Sequence, residues 1–135
     1  MKVYIAARAK YRANDVAEIQ RTIKSMGYKI AYDWPSGDKA IKKPYRDPAH
    51  RKQNLSAQAE MLKAAAKADI FIFLDDPGLR GAYVELGAFL TDCLGNSAGR
   101  RAYIVGPESK QREFIFESPE YIYLADTIEQ VYADL

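Results

Sequence analysis

The sequence predicts an α/β protein, a doubly wound five-stranded parallel sheet in the flavodoxin-like order 2-1-3-4-5. Three observations lead there. Short apolar, β-favouring runs alternate with segments of helical periodicity along the chain. The most apolar run, "IFIFL" at 70–74, is apolar on both faces, as a central parallel strand is when helices cover both sides of its sheet. No composition break, repeat or low-complexity stretch interrupts the pattern, so residues 1–135 are expected to form one domain, long enough to bury a sizeable core.

The elements follow in order. "KVYIAA" opens the chain as a buried strand. In "RANDVAEIQRTIKSMG", Val16, Ile19, Ile23 and Met26 fall at helical spacing, with Asn14 or Asp15 as a cap and Gly27 as the stop. "YKIAYDW" is the second strand, completing a right-handed βαβ unit. "PSGDKAIKKPYRDPAHRKQN" carries three prolines and reads as a long polar loop, either a cover for a ligand or a solvated connection. "LSAQAEMLKAAAKA" is an alanine-rich helix with Asn54 or Ser56 near its start. "DIFIFL" is the third strand. "RGAYVELGAFLTDCLG" is the next helix, with Val84, Leu86, Phe89, Leu90 and Leu94 as its apolar stripe. "RRAYIVG" is the fourth strand, "ESKQREFIFES" a short helix or irregular turn, "EYIYLAD" the fifth strand and "TIEQVYADL" a closing helix.

Composition narrows the chemistry. A net charge of +2 and a pI near 8.6, with no long basic run, do not demand duplex nucleic acid; an anionic small molecule such as a phosphate ester suits the balance. The single cysteine, Cys93, excludes an intramolecular disulfide and a cysteine metal cluster, and its apolar setting marks it as a core residue. His50 stands alone in a polar stretch and reads as a solvated loop residue. No run approaches the ~20 apolar residues of a membrane span, and the N-terminus lacks the apolar core of a signal peptide, so a cytoplasmic protein is expected.

In a doubly wound sheet, ligands bind beyond the carboxyl ends of the strands where the strand order reverses. Here that point lies between the first and third strands, at "AARAKYR" and "DDPGLRG". The phosphate fingerprints GxxxxGK[ST] and GxGxxG are absent, and His50 has no elbow serine. What remains is carboxylates, tyrosines and arginines. Glu85 is a lone charge in "AYVELGAFL": either a nucleophile or general base in a partly buried site, or a glutamate near a helix start that only meets the dipole. Asp75 and Asp76 either bind sugar hydroxyls or a base, or serve the turn before Pro77-Gly78; adjacent strand residues face opposite ways, which disfavours their sharing a Mg²⁺ ion. Tyr4 is either a core tyrosine or a partner for a neighbouring carboxylate. Arg8 and Arg80 flank the same cleft and either bind a phosphate or are solvated. Asp69, at the opposite end of its strand, is a connection residue.

"KVYIAA", "YDW", "ADIFIFL" and above all "RGAYVELGAFL" resemble nucleoside 2-deoxyribosyltransferases and the related nucleotide N-glycosidases. The shared pattern is G-x-x-x-E-x-G, met by Gly81, Glu85 and Gly87 after a strand that ends in D-x-P. The resemblance implies that Glu85 is the nucleophile at the anomeric carbon of a nucleoside or nucleotide, and that Tyr4 positions it. It further implies that Ala7, Arg8, Trp34, Asp75, Arg80 and Gly81 line the substrate site, with Arg8 or Arg80 on a 5′-phosphate and the Trp34 loop over the base. It calls for no cofactor or metal, and for a homodimer or larger homo-oligomer. One departure stands out. The aspartate that the family carries eight residues before the Ala-Asp of the third strand is Met61 here, beside Glu60, which leaves Asp76 to assist the leaving base. That departure keeps a second reading open: a nucleotide-binding or sensor module without turnover.

Overall fold

A computed structural model describes residues 1–36, 41–42, 44, 46–76, 81–106 and 120–135, with backbone alone for residues 9–11. Five strands, β1 (Lys2–Ala6), β2 (Lys29–Ile30), β3 (Ile70–Leu74), β4 (Arg101–Val105) and β5 (Ile122–Ala125), form one all-parallel sheet in the order β2-β1-β3-β4-β5. The doubly wound order expected from the sequence is thus present. Among the described residues four helices accompany it: α1 (Ala9–Ser25), α2 (Pro48–Ala66), α3 (Gly81–Gly95) and α4 (Ile128–Asp134). Residues 107–119, where a short helix or turn was expected, lie outside the described residues, as do Tyr45 and Arg80.

Alternation along the strands assigns the faces. Tyr4 stacks on Phe71 with ring centroids 5.5 Å apart, Phe71 meets Phe89 of α3 at 5.2 Å, and Phe73 meets Tyr83 at 5.1 Å. These side chains share the α2–α3 face. On the other face the Tyr103 hydroxyl donates to the Asp134 carboxylate of α4, and Leu74 and Val105 floor a cleft of about 370 Å³ between α1 and α4. All five β3 residues are buried, which is why its sequence shows no polar alternation.

Three helices differ from the sequence expectation. α1 begins at Ala9 with Arg8 as its N-cap, so Asn14 and Asp15 lie inside it and do not cap it. α2 begins at Pro48, well before Asn54 or Ser56, because Asp47 caps it: the Asp47 carboxylate accepts the Ala49 N–H at 2.9 Å, and Pro48 occupies the first turn with its φ already set. His50 therefore lies in a helix, not a loop. In α3 the buried residues are Ala82, Leu86, Phe89 and Cys93, whereas Val84 and Leu94 of the expected stripe are 61% and 83% exposed. Packing against Phe71 chose this face; an all-round apolar helix offers several by periodicity alone.

Arg100 closes the far end of the sheet. It is buried, with its guanidinium over the Phe89 ring. It donates to the Ala68 carbonyl at 3.0 Å, the Asn96 carbonyl at 3.2 Å, the Ala66 carbonyl and the Asp92 carboxylate at 2.8 Å. The hydrogen bond from Lys67 first, and then that from Arg100, holds Asp92 below the ordinary carboxylate range. One cation thus satisfies the C-terminal carbonyls of α2 and the turn after α3. Arg100→Ala should lower unfolding free energy by about 3 kcal/mol, since it leaves several carbonyls around a buried side chain without their donor. Arg100→Lys should recover little, because an ammonium lacks the planar fork. Urea unfolding of both variants measures this.

Candidate active site

The chain leaves β1 at Ala6, passes Ala7 and Arg8, and enters α1 at Ala9, with Arg8 as its N-cap. It leaves β3 at Leu74 and passes Asp75 and Asp76. These two exits are neighbours in the sheet and lie on either side of the point where strand order reverses. α3 then brings Glu85 back against β1.

Glu85 stands at the shoulder of the buried face of α3, roughly 70° from its centre at ~100° per residue. Its helix places no acidic residue in the first turn, so the macrodipole, which fades within that turn, does not set its charge. Burial does: it lifts the Glu85 carboxyl from 4.5 to about 7, against a smaller lowering by the Tyr4 hydroxyl. Tyr4 is fully buried. Its pKa is pushed far up, first by burial and then by the Glu85 charge and hydrogen bond. The hydroxyl meets no described partner within strict hydrogen-bond geometry, so its contact with Glu85 is a loose one that nevertheless acts on both groups.

Two more groups extend this pair. Tyr32, just past β2, is buried; burial raises its pKa, followed by the charge of Glu60 on α2. Tyr32 in turn raises Tyr4. The charges of Glu85 and Glu60 thus bear on two tyrosines, Tyr4 in β1 and Tyr32 just past β2. Sequence reasoning missed Tyr32, whose only signal was its place directly after a strand. Met61, next to Glu60, packs against the core.

The remaining expected residues divide. Arg8 and Asp76 come together, with Nη1 to Oδ1 at 3.5 Å. Asp75 extends the ladder through its N–H to the Val105 carbonyl at 2.8 Å and lines the α1–α4 cleft with Gly106 and Asp126. Gly106 has φ +147, and a Cβ there would stand 3.4 Å from that of Asp75, so both backbone and space call for glycine. Among the described residues no cluster of three or more metal-ligating side chains occurs. Trp34 is buried at 7% exposure and donates its indole N–H to the Ile5 carbonyl at 2.8 Å. It ties the β2–α2 connection to the end of β1. Gly81 opens α3, and Arg80 lies outside the described residues. No described helix is long and apolar enough to cross a membrane.

The sheet order and its helices are those of the nucleoside 2-deoxyribosyltransferase-like fold. A solved structure that shares it is that of a CMP N-glycosidase, BcmB, from Clostridium botulinum: the two match over 100% of both chains with a TM-score of 0.65 and 10% identity. At that identity the likeness is one of fold. No family model matches the chain, and no curated protein does.

The raised carboxyl gives a stability signature. The folded chain holds Glu85 near 7 and the unfolded chain near 4.5, so between those values the folded state binds the extra proton. Ionising Glu85 therefore costs stability as pH climbs through that window. Glu85→Gln should match wild type below pH 4.5 and exceed it by about 1–3 kcal/mol at pH 8, by urea unfolding at both pH values. Tyr4→Phe, which removes the lowering contact, should move the Glu85 carboxyl titration upward by NMR; a fall would contradict the coupling.

Proposed function

We propose that the chain cleaves or exchanges the N-glycosidic bond of a (deoxy)nucleoside or nucleoside 5′-monophosphate through a covalent intermediate on Glu85. One observation carries the reading: a half-buried carboxyl poised near pH 7 against a fully buried tyrosine, at the strand-order reversal of a doubly wound sheet. The fold shared with a CMP N-glycosidase supports a nucleotide as the first substrate class to test.

In the reaction, ionised Glu85 attacks the anomeric carbon. The C1′–N bond breaks, its electron pair passes to the base, and the departing base takes up a proton from water. Water or a second base then attacks the same carbon and displaces the carboxylate, so configuration is retained overall. Tyr4 orients the attacking carboxylate. Its raised pKa keeps its proton in place, so it can donate to Glu85 in the free enzyme and again when the ester hydrolyses. Arg8, at the rim, meets a 5′-phosphate by exchanging its Asp76 contact for a charge-assisted one.

A second reading is a nucleotide-binding module without turnover, favoured by one observation: Met61, in place of an acid, packs into the core. Incubation with nucleosides and 5′-monophosphates, with and without an acceptor base, separates the readings by chromatography. Free base without acceptor marks a hydrolase, base exchange a transferase, and saturable binding with no product the module. Glu85→Gln should lose roughly 10³-fold or more in base release with its fold intact. In wild type, kcat/KM should rise with pH through about 7 as Glu85 ionises. Base release by Glu85→Gln at the wild-type rate would end the glycosyl-glutamate mechanism.

A further inference from the structure

In a parallel strand, successive residues turn their main-chain groups to opposite neighbours. Along β1 the even-numbered residues face β3: the Lys2 carbonyl accepts the Asp69 N–H at 2.9 Å. The odd-numbered residues face β2. The Met1 carbonyl accepts the Lys29 N–H at 3.1 Å, and the Val3 carbonyl accepts the Ala31 N–H at 2.8 Å. The next acceptor in that series is the Ile5 carbonyl, to which a continuing β2 would offer the N–H of Asp33. β2 ends at Ile30, however, and a side chain makes the rung instead: the indole N–H of Trp34 donates to the Ile5 carbonyl at 2.8 Å.

This rung lies one residue past Tyr4. On its β3 side β1 stays paired to its end, in the register that sets Tyr4 beside Phe71 and Ala6 beside Phe73. On its β2 side the last main-chain rung among the described residues is at Val3, so beyond Tyr4 the strand is held there by the indole. Trp34 is itself fixed in two ways. It is buried in the same core cluster as Tyr4 and Ile5. It also sits in a turn that Ser36 closes, with its N–H to the Asp33 carbonyl at 3.4 Å and its hydroxyl to the Asp33 carboxylate at 3.0 Å. A buried carbonyl stripped of its donor is costly to leave unpaired, so without the indole the end of β1 would shift to find another. The contact of Tyr4 with Glu85 is already loose, and a small shift is enough to open it.

We infer that Trp34 is a positioning residue for the Glu85–Tyr4 site: its indole N–H replaces the missing rung of β2 and fixes the end of β1 that carries Tyr4. Trp34 needs no contact with substrate for this. The effect runs through the Ile5 carbonyl to Tyr4, and from Tyr4 to the carboxyl. Its kinetic consequence rests on the reaction proposed above, whereas the placement of Tyr4 can be read without turnover.

The test uses Trp34→Phe in the full chain, which keeps an aromatic ring and removes the N–H. By NMR its Glu85 carboxyl should titrate higher than in wild type, in the direction expected of Tyr4→Phe, because a displaced Tyr4 lowers Glu85 less. Adding Trp34→Phe to Tyr4→Phe should bring no further rise, since both changes act through one hydroxyl. With a nucleoside 5′-monophosphate, Trp34→Phe should lower kcat about 10-fold and leave KM within about threefold. A Glu85 titration that does not move in Trp34→Phe, whatever the loss of stability in urea, would leave Trp34 a structural anchor and overturn the inference. An unchanged kcat in an active enzyme, or an additive rise in the double variant, would overturn it as well. If Trp34→Phe fails to fold, wild type decides. Trp34 is the chain's single tryptophan, so its indole N–H signal stands alone. That signal should shift with pH along the Glu85 titration; a signal that stays fixed while Glu85 ionises would overturn the inference. If wild type releases no base from any nucleotide, the reaction reading falls, while the two NMR titrations still judge the placement of Tyr4.

Discussion

Glu85 and Tyr4 meet across a contact that exists only when the sheet and its helices are all in place. Tyr4 reaches the α2–α3 face because β1 pairs with β3 in the register that sets Tyr4 beside Phe71, and Phe71 packs on Phe89 of the helix that carries Glu85. A one-residue slip of β1 would turn Tyr4 to the opposite face and leave the carboxyl without its hydroxyl. The pair is also expensive: a buried hydroxyl without good hydrogen-bond geometry costs about 1–3 kcal/mol, and ionising a half-buried carboxyl adds to it. The surplus that tolerates this comes from elsewhere, from a β3 buried on both faces and from the Arg100 network at the far end of the sheet.

The layout of the fold was legible because its signals are redundant. Each strand is an apolar run, most helices stop at a glycine or a polar turn, and the strand order follows from parallel crossovers. Where signals compete, reading stopped short. Asp47-Pro48 is a helix start, yet it sits in a stretch with two other prolines and many charges, and composition masked it. α3 is apolar nearly all round, so periodicity could not choose between Leu94 and Cys93; Phe71, distant in sequence, made the choice.

The site was legible in position and less so in role. Glu85 stood out as a charge in an apolar run, but whether burial or the helix terminus governs it depends on the first residue of α3, and the structure answers burial. Tyr32, Asn54 and Trp34 were harder. Their parts are set by contacts to residues far along the chain: Tyr32 to Tyr4, Asn54 to Lys42 and Trp34 to Ile5. Trp34 illustrates the difficulty. An aromatic in a polar loop suggests a cover for a base, while its indole is buried and bonded to β1, so it acts on the loop from below.

The carboxyl edge of the sheet carries regions of opposite charge, which bears on an anionic ligand. Between α1 and α4, Asp15, Glu18, Asp75, Asp126 and Glu129 line the walls against Arg12, whose guanidinium already meets Asp15 at 2.8 Å. Across the sheet, Arg8 and the exposed Lys42, Arg46 and Arg51 border the Glu85 side. A net charge of +2 hides this asymmetry, because the two regions cancel. Screening over about 8 Å at physiological ionic strength confines each field to its own mouth, so a phosphate ester is repelled at one and drawn to the other only on close approach. On the reading proposed above, that attraction need not extend to the carboxyl itself, since Glu85 is half-buried and neutral for part of the time near pH 7. On that reading, a half-buried carboxyl behind a cationic rim is compatible with a negatively charged substrate in a way that an exposed glutamate would not be.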